Sequence, residues 1–426
     1  MISAIMLSLF LAFMLSGIPV SIAIMLATII GMLIGGYELL AVPQFMAAAT
    51  KSSFLLAVPF FILAANMMNA LGITQRIFNF ATAIAGGLRG GLAQVNVVAS
   101  MIFAGISGAA VADAAGLGTI EIKAMKEGGY SLEFSAAVTL ASATIGPIIP
   151  PSVMMLIYAI QADVSPAAMF LAGIVPGCLI GLILMITIYV QVALGYQDCP
   201  PPIKFSMQRL IKTSKDGILS LFAPLIILWG MVSGVVTPTE AGVLAVFYSL
   251  LLGVIYRSFN WLVIRRALVD TVKTSSLILY IIAVSSVMSW VMVNEGTAND
   301  IAEWLGNITE NPLILLVIIN IFLLILGAIL ETLPAMLIAV PVLLPAIDAL
   351  GIDRVHFGII VIFNLLIGII TPPMGIGLYI LAAISEVKID RLVIASLPYI
   401  VTLIIALLAI TYIPILSLFL PEILLK

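Results

Sequence analysis

Apolar segments about as long as a membrane is thick follow one another along almost the whole chain. A helix needs about 20 apolar residues to cross a bilayer. Ten candidate spans lie at 2–16, 19–36, 53–71, 132–161, 166–195, 217–234, 238–256, 273–293, 356–385 and 392–419. Of the 426 residues 63% are hydrophobic and 9% charged, whereas a soluble domain has about 25% charged residues. The chain is therefore predicted to be an all-α polytopic membrane protein.

Several other classes of protein are excluded by what the sequence does not contain. It has no GxxxxGK[ST] phosphate loop, no basic patch for nucleic acid, and no grouping of nucleophile, base and orienting acid, so an enzyme is not expected. Cys178 and Cys199 fit neither a disulfide framework nor a metal site. The single histidine, His356, opens a predicted span and is interpreted as an interfacial residue.

The loops differ in charge, and this predicts which side of the membrane each faces. Lysine and arginine gather at 196–216 and 257–273, and Arg76 and Arg89 lie within 72–91. Cytoplasmic loops are enriched in these residues, so all three loops are expected inside. The segment 294–311 has four acids and no base, which favours the outside.

Two proline-rich interruptions, "IGPIIPPS" at 145–152 and "IGIITPPMG" at 367–375, break otherwise apolar spans. Proline removes a backbone N–H and disrupts a helix. A shift of 222 residues superimposes them, with Gly146 on Gly368, Pro150 on Pro372 and Pro151 on Pro373. The same shift places Gly105 on Gly327 and Gly129 on Gly351. Because the aligned loops 72–91 and 294–311 differ in charge, the halves 1–215 and 216–426 are predicted to form an inverted-topology repeat.

Each half also has an apolar block with a small, polar middle, at 92–127 and 313–350. According to the predicted sidedness, each block returns to the membrane face from which it entered. The first block returns to the cytoplasmic face, where Lys123 and Lys126 lie, and the second returns to the outer face, where Asp348 and Asp353 lie. We therefore expect two re-entrant helical hairpins, beside broken helices at 132–161 and 356–385. A hairpin tip within the membrane is tolerated only inside protein or beside a watery cavity.

A broken helix exposes carbonyl oxygens that suit small hard cations, and half-helix N-termini attract anions. Residues of the tips and breaks are therefore the candidate ion and substrate site. They are Gly105, Ser107, Gly108, Ser142, Thr144, Gly146, Pro147, Gly327, Glu331, Thr332, Gly368, Thr371, Pro372 and Gly375. Asp113 is interpreted as a cap on the second leg of its hairpin or as a functional acid. For Glu331, a cation ligand, a proton carrier and a hydrogen-bond anchor all stay open.

The stretches "FAGISGAAVADAAGLGTI", "ASATIGPIIPPSVMMLIYA", "GVVTPTEAG" and "IGIITPPMGIGLYI" resemble signatures of one transporter family over essentially the whole chain. It is the large membrane (M) subunit of tripartite ATP-independent periplasmic (TRAP) transporters. The resemblance implies an elevator-type, Na⁺-driven importer of the bacterial inner membrane. It also implies two partners, a small four-helix membrane subunit (Q) and a periplasmic substrate-binding protein (P). As the chain lacks a four-helix extension at its N-terminus, Q is expected to be a separate polypeptide.

TRAP substrates are organic acids, and sialic acid is weakly favoured here over a C4-dicarboxylate. The resemblance implies one Na⁺ site formed by Gly105, Ser107, Gly108, Thr144, Gly146 and Pro147. It implies an inverted counterpart formed by Gly327, Glu331, Thr332, Gly368, Thr371 and Pro372. The substrate is expected between the hairpin tips. Two alternatives stay open: a stand-alone carboxylate transporter that needs no binding protein, and an ion channel.

Replacing Ser107 or Thr371 with alanine is expected to weaken Na⁺-dependent uptake, because each change removes a hydroxyl oxygen from a proposed Na⁺ site. Uptake against external Na⁺ concentration, at matched expression, measures the effect. Wild-type Na⁺ dependence in both variants would show that these oxygens are not ligands.

Overall fold

Helices form most of the described backbone. The computed structural model describes residues 2–107, 110–197, 199–309, 311–373 and 375–425, and no β-strand occurs among them. The helices are α1 Ile2–Leu15, α2 Val20–Gly35, α3 Ala41–Thr50, α4 Ala57–Ala70, α5 Ile73–Ala85, α6 Leu92–Ser107, α7 Ala110–Ala115, α8 Leu117–Glu127, α9 Leu132–Ala143, α10 Val153–Ala162, α11 Pro166–Ala193, α12 Met207–Val232, α13 Pro238–Ile255, α14 Trp261–Asn294, α15 Thr297–Ile308, α16 Pro312–Ile329, α17 Thr332–Ala349, α18 Arg354–Ile369, α19 Ile376–Ser385, α20 Ile389–Tyr412 and α21 Ile415–Leu424. The prediction of an all-helical membrane protein is confirmed.

Among the described residues, seven helices are long and apolar enough to cross a membrane: α11, α12, α13, α14, α16, α17 and α20. An eighth span arises if α3 and the segment Phe54–Ala70, bent by 68°, are taken together. The ten expected spans are therefore not ten single long helices. The segments 132–161 and 356–385 are each two shorter helices, and α1 has 14 residues. At 1.5 Å per residue α1 is about 21 Å long, shorter than the hydrocarbon core of about 30 Å.

Short polar side chains begin many of the helices, since the first N–H groups of a helix have no partner within it. The hydroxyl of Ser152, for example, accepts the N–H of Met155 at the start of α10. Thr237 and Glu240 form a capping box at the start of α13. The same device begins α9, α11, α12, α14, α16 and α18, with Ser131, Ser165, Ser206, Asn260, Asn311 and Asp353.

The same order of elements occurs in both halves of the chain. In the first, α6 is followed by α7 and α8, which we call the first hairpin (92–127), and then by α9, an irregular first break (144–152) and α10. In the second, α16 and α17, the second hairpin (313–350), precede α18, the second break (370–375) and α19. With 18 residues each, α16 and α17 are about 27 Å long, longer than the short legs expected. Their re-entrant, inverted placement in a membrane stays a prediction.

The two halves interlock through their broken helices. α10 of the first half packs against α17 of the second hairpin, and α19 of the second half packs against α7 of the first. Gln161 on α10 donates from Nε2 to the carbonyl of Leu337 at 2.8 Å. Tyr158 donates its hydroxyl to the carbonyl of Arg354 at 2.6 Å. The helix that follows each break therefore packs against the hairpin of the other half.

Replacing Tyr158 with phenylalanine is expected to lower the free energy of unfolding by about 1 kcal/mol, because the hydrogen bond to the carbonyl of Arg354 is lost. Tyr158 is fully buried, so no bulk water replaces that donor. The melting temperature of the purified protein in detergent measures the effect. The matched control is Tyr196→Phe, whose side chain is 74% exposed. Equal melting temperatures for the two variants would contradict the role of this bond.

Candidate functional site

The C-terminal ends of α16 and α18 meet backbone to backbone at the second hairpin. A methyl group built on Gly368 would lie 2.1 Å from the carbonyl carbon of Gly327. A side chain on Gly327 would lie 3.0 Å from the Cα and carbonyl oxygen of Leu365. The glycines are therefore required here for close approach, and the sequence prediction pairs two residues that do come together.

Backbone carbonyls collect at this meeting point. The N–H of Leu330 donates to Leu326, and the chain then turns to an extended conformation. The carbonyls of Gly327, Ala328 and Ile329 receive no backbone N–H from the described residues. Since the C-terminal end of a helix carries partial negative charge, two such ends in contact form a place that favours a cation.

A very small cavity adjoins these carbonyls. It is lined by residues 327–331 with Ile369 and Ile376, and its volume is about 10 Å³. A single water molecule needs at least about 10–15 Å³ measured in this way. The cavity therefore accommodates no organic molecule and at most one dehydrated ion or water.

The start of α17 presents the opposite polarity. Glu331 occupies its N-cap position without a side-chain cap bond, and Thr332 follows as the first helical residue. The hydroxyl of Thr332 is buried and has no hydrogen-bond partner among the described residues. Free N–H groups at a helix N-terminus attract anions, so this end of α17 suits the carboxylate of a ligand.

The second break is a tight turn stabilised by its own backbone. Thr371 donates its N–H to Gly368 and its hydroxyl to Ile367, the latter at 2.7 Å. The Pro372–Pro373 bond is cis, as is Pro150–Pro151 in the first break. A side chain on Gly375 would lie 2.8 Å from the carbonyl oxygen of Thr371. The lone pairs of the Thr371 hydroxyl stay available to a cation.

The first break differs in which carbonyls it leaves without a partner. The carbonyls of residues 141–143 accept the N–H groups of residues 144–146, and Thr144 also donates its hydroxyl to Ala141. The carbonyls of Thr144, Gly146 and Pro147 receive no backbone N–H from the described residues. The expectation that a break frees the last helical carbonyls is therefore correct for only part of this segment, because the chain tightens into a final turn.

The predicted residues of the first hairpin tip are described only in part. Gly105 and Ser107 lie at the end of α6, and their side chains are not described. Gly108 lies outside the described residues. Asp113 is buried within α7, and a side chain on Gly146 would lie 2.0 Å from its carboxylate. The hairpin therefore contacts the first break through an acidic side chain.

Sequence reasoning missed a pair of equivalent hydrogen bonds that join hairpin to broken helix. Ser142 donates to the side-chain carbonyl of Asn96 at 2.7 Å. Asn364 donates to the side-chain carbonyl of Asn320, also at 2.7 Å. Shifts of 222 and 224 residues relate the partners in the two halves. Both shifts are visible in the sequence, and isolated asparagines in apolar helices were the signal that could have found these residues.

His356, which was expected at the membrane interface, lies near the start of α18 with its side chain buried inside the protein. The ring is 3% exposed, and Nε2 lies 3.2 Å from the carbonyl oxygen of Thr411 on α20. It packs near the Asn320–Asn364 pair, since Asn320 donates to the Thr411 hydroxyl. Packing of α18 on α20, which sequence alone does not reveal, buries it.

Comparison with known proteins places the chain in a transporter family. Residues 7–416 match the model of the DctM component of the tripartite ATP-independent periplasmic transporter. The chain is 39% identical to the sialic acid TRAP transporter large permease SiaM of Vibrio cholerae, covering 89% of the chain and 88% of that protein. It is 34% identical to the C4-dicarboxylate TRAP transporter large permease DctM of Pseudomonas aeruginosa, covering 86% of each.

Solved structures share the fold at low sequence identity. The chain superimposes on the YdaH transporter of Alcanivorax borkumensis with a TM-score of 0.54 at 16% identity, over 83% of this chain and 84% of that one. MtrF of Neisseria gonorrhoeae gives a TM-score of 0.56 at 15% identity, over 88% and 83%. The likeness concerns the fold alone.

Replacing Gly368 with alanine is expected to lower the free energy of unfolding by at least about 1–3 kcal/mol, because its methyl group overlaps the backbone of α16. Gly217→Ala on α12 is the control, since its methyl group would meet nothing closer than 3.8 Å. Melting temperature and the yield of folded protein measure both variants. A Gly368→Ala protein as stable as the control would disprove the close contact.

Proposed function

The chain belongs to the DctM component family of tripartite ATP-independent periplasmic transporters, and we propose that it imports an organic acid together with Na⁺. Like its relatives, it is a multi-pass protein of the bacterial inner membrane and a TRAP large membrane subunit. The observation that carries the Na⁺ proposal is the contact between the C-terminal ends of α16 and α18. Carbonyl oxygens and an ion-sized cavity occur together there.

The proposed coupling uses opposite helix ends for opposite charges. Na⁺ binds the carbonyls near Gly327 and Gly368, assisted by the Thr332 and Thr371 hydroxyls, and the first break supplies the counterpart at Thr144, Gly146 and Pro147. The organic anion binds toward the N-terminal end of α17. Na⁺ favours the loaded state only by as much as its affinity for that state exceeds its affinity for the empty one. Occupation of the cation site stabilises the hairpin tip against which the anion binds.

The proposed transport step is an elevator movement of the hairpins and broken helices as one unit. Support comes from the interlocked packing of α10 on α17 and of α19 on α7, which joins the two halves. The segment that leads into α6 contacts the segment that follows α11: the N–H of Ile203 donates to the carbonyl of Gly86. Glycines at 86, 87, 90 and 91 provide backbone freedom in one of them.

The proposed partners are a small membrane subunit and a periplasmic binding protein, as the word tripartite in the family description implies. Relatives are named as transporters of sialic acid, C4-dicarboxylates and 2,3-diketo-L-gulonate. These substrates share a carboxylate, which supports an organic acid as the class. The 39% identity to a sialic acid permease favours sialic acid within it.

A stand-alone carboxylate transporter is the second candidate, and reconstitution separates the two. Proteoliposomes containing this chain and its small membrane subunit are supplied with a Na⁺ gradient, labelled sialic acid and the periplasmic protein. We expect uptake only when all three proteins and Na⁺ are present. Uptake without the periplasmic protein would support the stand-alone transporter, and flux without Na⁺ would contradict coupling.

Replacing Thr332 with alanine is expected to raise the Na⁺ concentration for half-maximal uptake about tenfold, because a buried oxygen available to the ion is lost. Thr50→Ala is the matched control, since Thr50 is exposed and its hydroxyl bonds within α3. Uptake at saturating substrate over a range of Na⁺ concentrations measures the shift. An unchanged Na⁺ requirement in Thr332→Ala would remove Thr332 from the site.

A further inference from the structure

A cavity opens where the start of α9, the last turns of α11 and the first turns of α20 come together. We call it the α11–α20 groove. Its volume is about 800 Å³, and both α9 and α11 pack against α20 beside it. None of the predicted ion or substrate residues lines this groove. It is therefore a site distinct from the hairpins and breaks, and large enough for part of an amphipathic molecule.

Most of the groove wall is apolar. Ile186, Val190 and Leu194 follow one another at intervals of four residues on α11, so they form one stripe along that helix. Ile394 and Pro398, also four residues apart, line the wall on α20. Leu194 is 64% and Ile394 67% exposed. Since α11 and α20 are both long and apolar enough to cross a membrane, lipid chains are what these exposed side chains meet.

The wall also has one charge of each sign. Nη1 of Arg391, at the start of α20, donates to Oε1 of Glu133, at the start of α9, at 3.4 Å. The two side chains are 70% and 36% exposed. This bond uses one of the five N–H donors of arginine and one of the two carboxylate oxygens. An exposed ion pair contributes little to stability, so both groups can bind further charges without disrupting the fold.

A further donor in the wall has no partner. The hydroxyl of Tyr399 donates to Oε1 of Gln191 at 3.0 Å, which sets the orientation of the Gln191 amide. Its Nε2 atom is buried and has no hydrogen-bond partner among the described residues. A buried donor without an acceptor is unfavourable. An acceptor oxygen of a molecule in the groove would satisfy it.

The charged pair lies where lipid headgroups are expected. α11 ends at Ala193 and α20 begins at Ile389, and the ends of spanning helices lie at the membrane surface. The basic segment 196–216, predicted to be cytoplasmic, follows α11 directly. Charged pockets between membrane helices at this face are suited to lipid headgroups. The groove thus combines a charged pair at headgroup depth with walls suited to acyl chains.

We propose that the α11–α20 groove binds a phospholipid with an ethanolamine headgroup. Arg391 pairs with its phosphate, Glu133 with its ammonium group, and the acyl chains lie against the apolar walls. Charge complementarity selects this class of lipid. An anionic headgroup would be repelled by Glu133, and a choline headgroup has no N–H to donate to the carboxylate. The bound lipid contacts both α9 of the first half and α20 of the second, so it stabilises their junction. The site requires neither Na⁺ coupling nor a particular substrate.

Native mass spectrometry of the delipidated full chain tests the choice of lipid. Dioleoyl phosphatidylethanolamine is expected to bind at least about fivefold more tightly than the phosphatidylcholine or phosphatidylglycerol with the same chains, because only its headgroup forms both charged hydrogen bonds. It should also raise the melting temperature more than they do, since a ligand of the folded state stabilises that state. Equal affinity for the three lipids would overturn the proposal.

Two charge variants test the residues. Arg391→Gln is expected to weaken binding of the ethanolamine lipid about tenfold. Glu133→Gln removes the partner of the ammonium group and the repulsion of anions, so phosphatidylglycerol should then bind at least as tightly as phosphatidylethanolamine. Lys388→Gln and Asp390→Asn are the matched controls, because they remove the same charges at exposed neighbouring positions outside the groove. Groove variants that bind lipid as their controls do would refute the assignment.

Two further measurements test the place and the occupant. Ala395 lines the groove on α20, and Ala395→Trp is expected to weaken binding of the ethanolamine lipid because its indole fills space meant for acyl chains. Unchanged binding in monodisperse Ala395→Trp protein would place the lipid elsewhere. The lipid should also stay bound when the small membrane subunit is co-expressed with the chain. Loss of the lipid from that complex would assign the groove to the subunit and overturn the proposal.

Discussion

Lipid offers no hydrogen bonds, so every backbone polar group within the membrane must find a partner inside the protein or face an ion or water. The two breaks are the places where this requirement is hardest to satisfy. Some of their carbonyls are bonded by a final tight turn, as at residues 141–143, and others, as at Gly146 and Gly327, are not. The helices around the breaks have to bury these remaining groups. The hairpins, the glycine contact at Gly368 and the interlocked halves all contribute to burying these groups.

The pattern of glycine in the molecule follows the same constraint. Where α16 and α18 touch, any side chain would separate the carbonyl-bearing helix ends. At Gly146 a side chain would instead displace the carboxylate of Asp113. Each break is thus closed by contact with a hairpin, through backbone in the second half and through an acid in the first. The two halves therefore share the order of their helices but use different groups for the contact between break and hairpin.

The main elements of the fold follow from apolar length and proline placement, so the breaks of 132–161 and 356–385 could be predicted. The number of long spans could not, because a proline-broken segment has the apolar length of a span without being one helix. Two kinds of hydrogen bond also escape prediction: the local turn bond from the Thr144 hydroxyl to Ala141, and the tertiary bond from the Ser142 hydroxyl to Asn96 on α6. The Asn320–Asn364 pair was missed because its two residues lie on different helices, which only tertiary packing brings together.

The hydrogen bond from Gln161 to Leu337 connects residues 176 positions apart in the chain. During synthesis, α10 enters the membrane well before α17 exists, and its polar side chain then has no protein partner. The Gln161 side chain must therefore be shielded by lipid headgroups or by the insertion machinery until the second half of the chain has been synthesised. Folding of this protein is in that sense an assembly reaction between two parts of one chain, completed only near the end of translation.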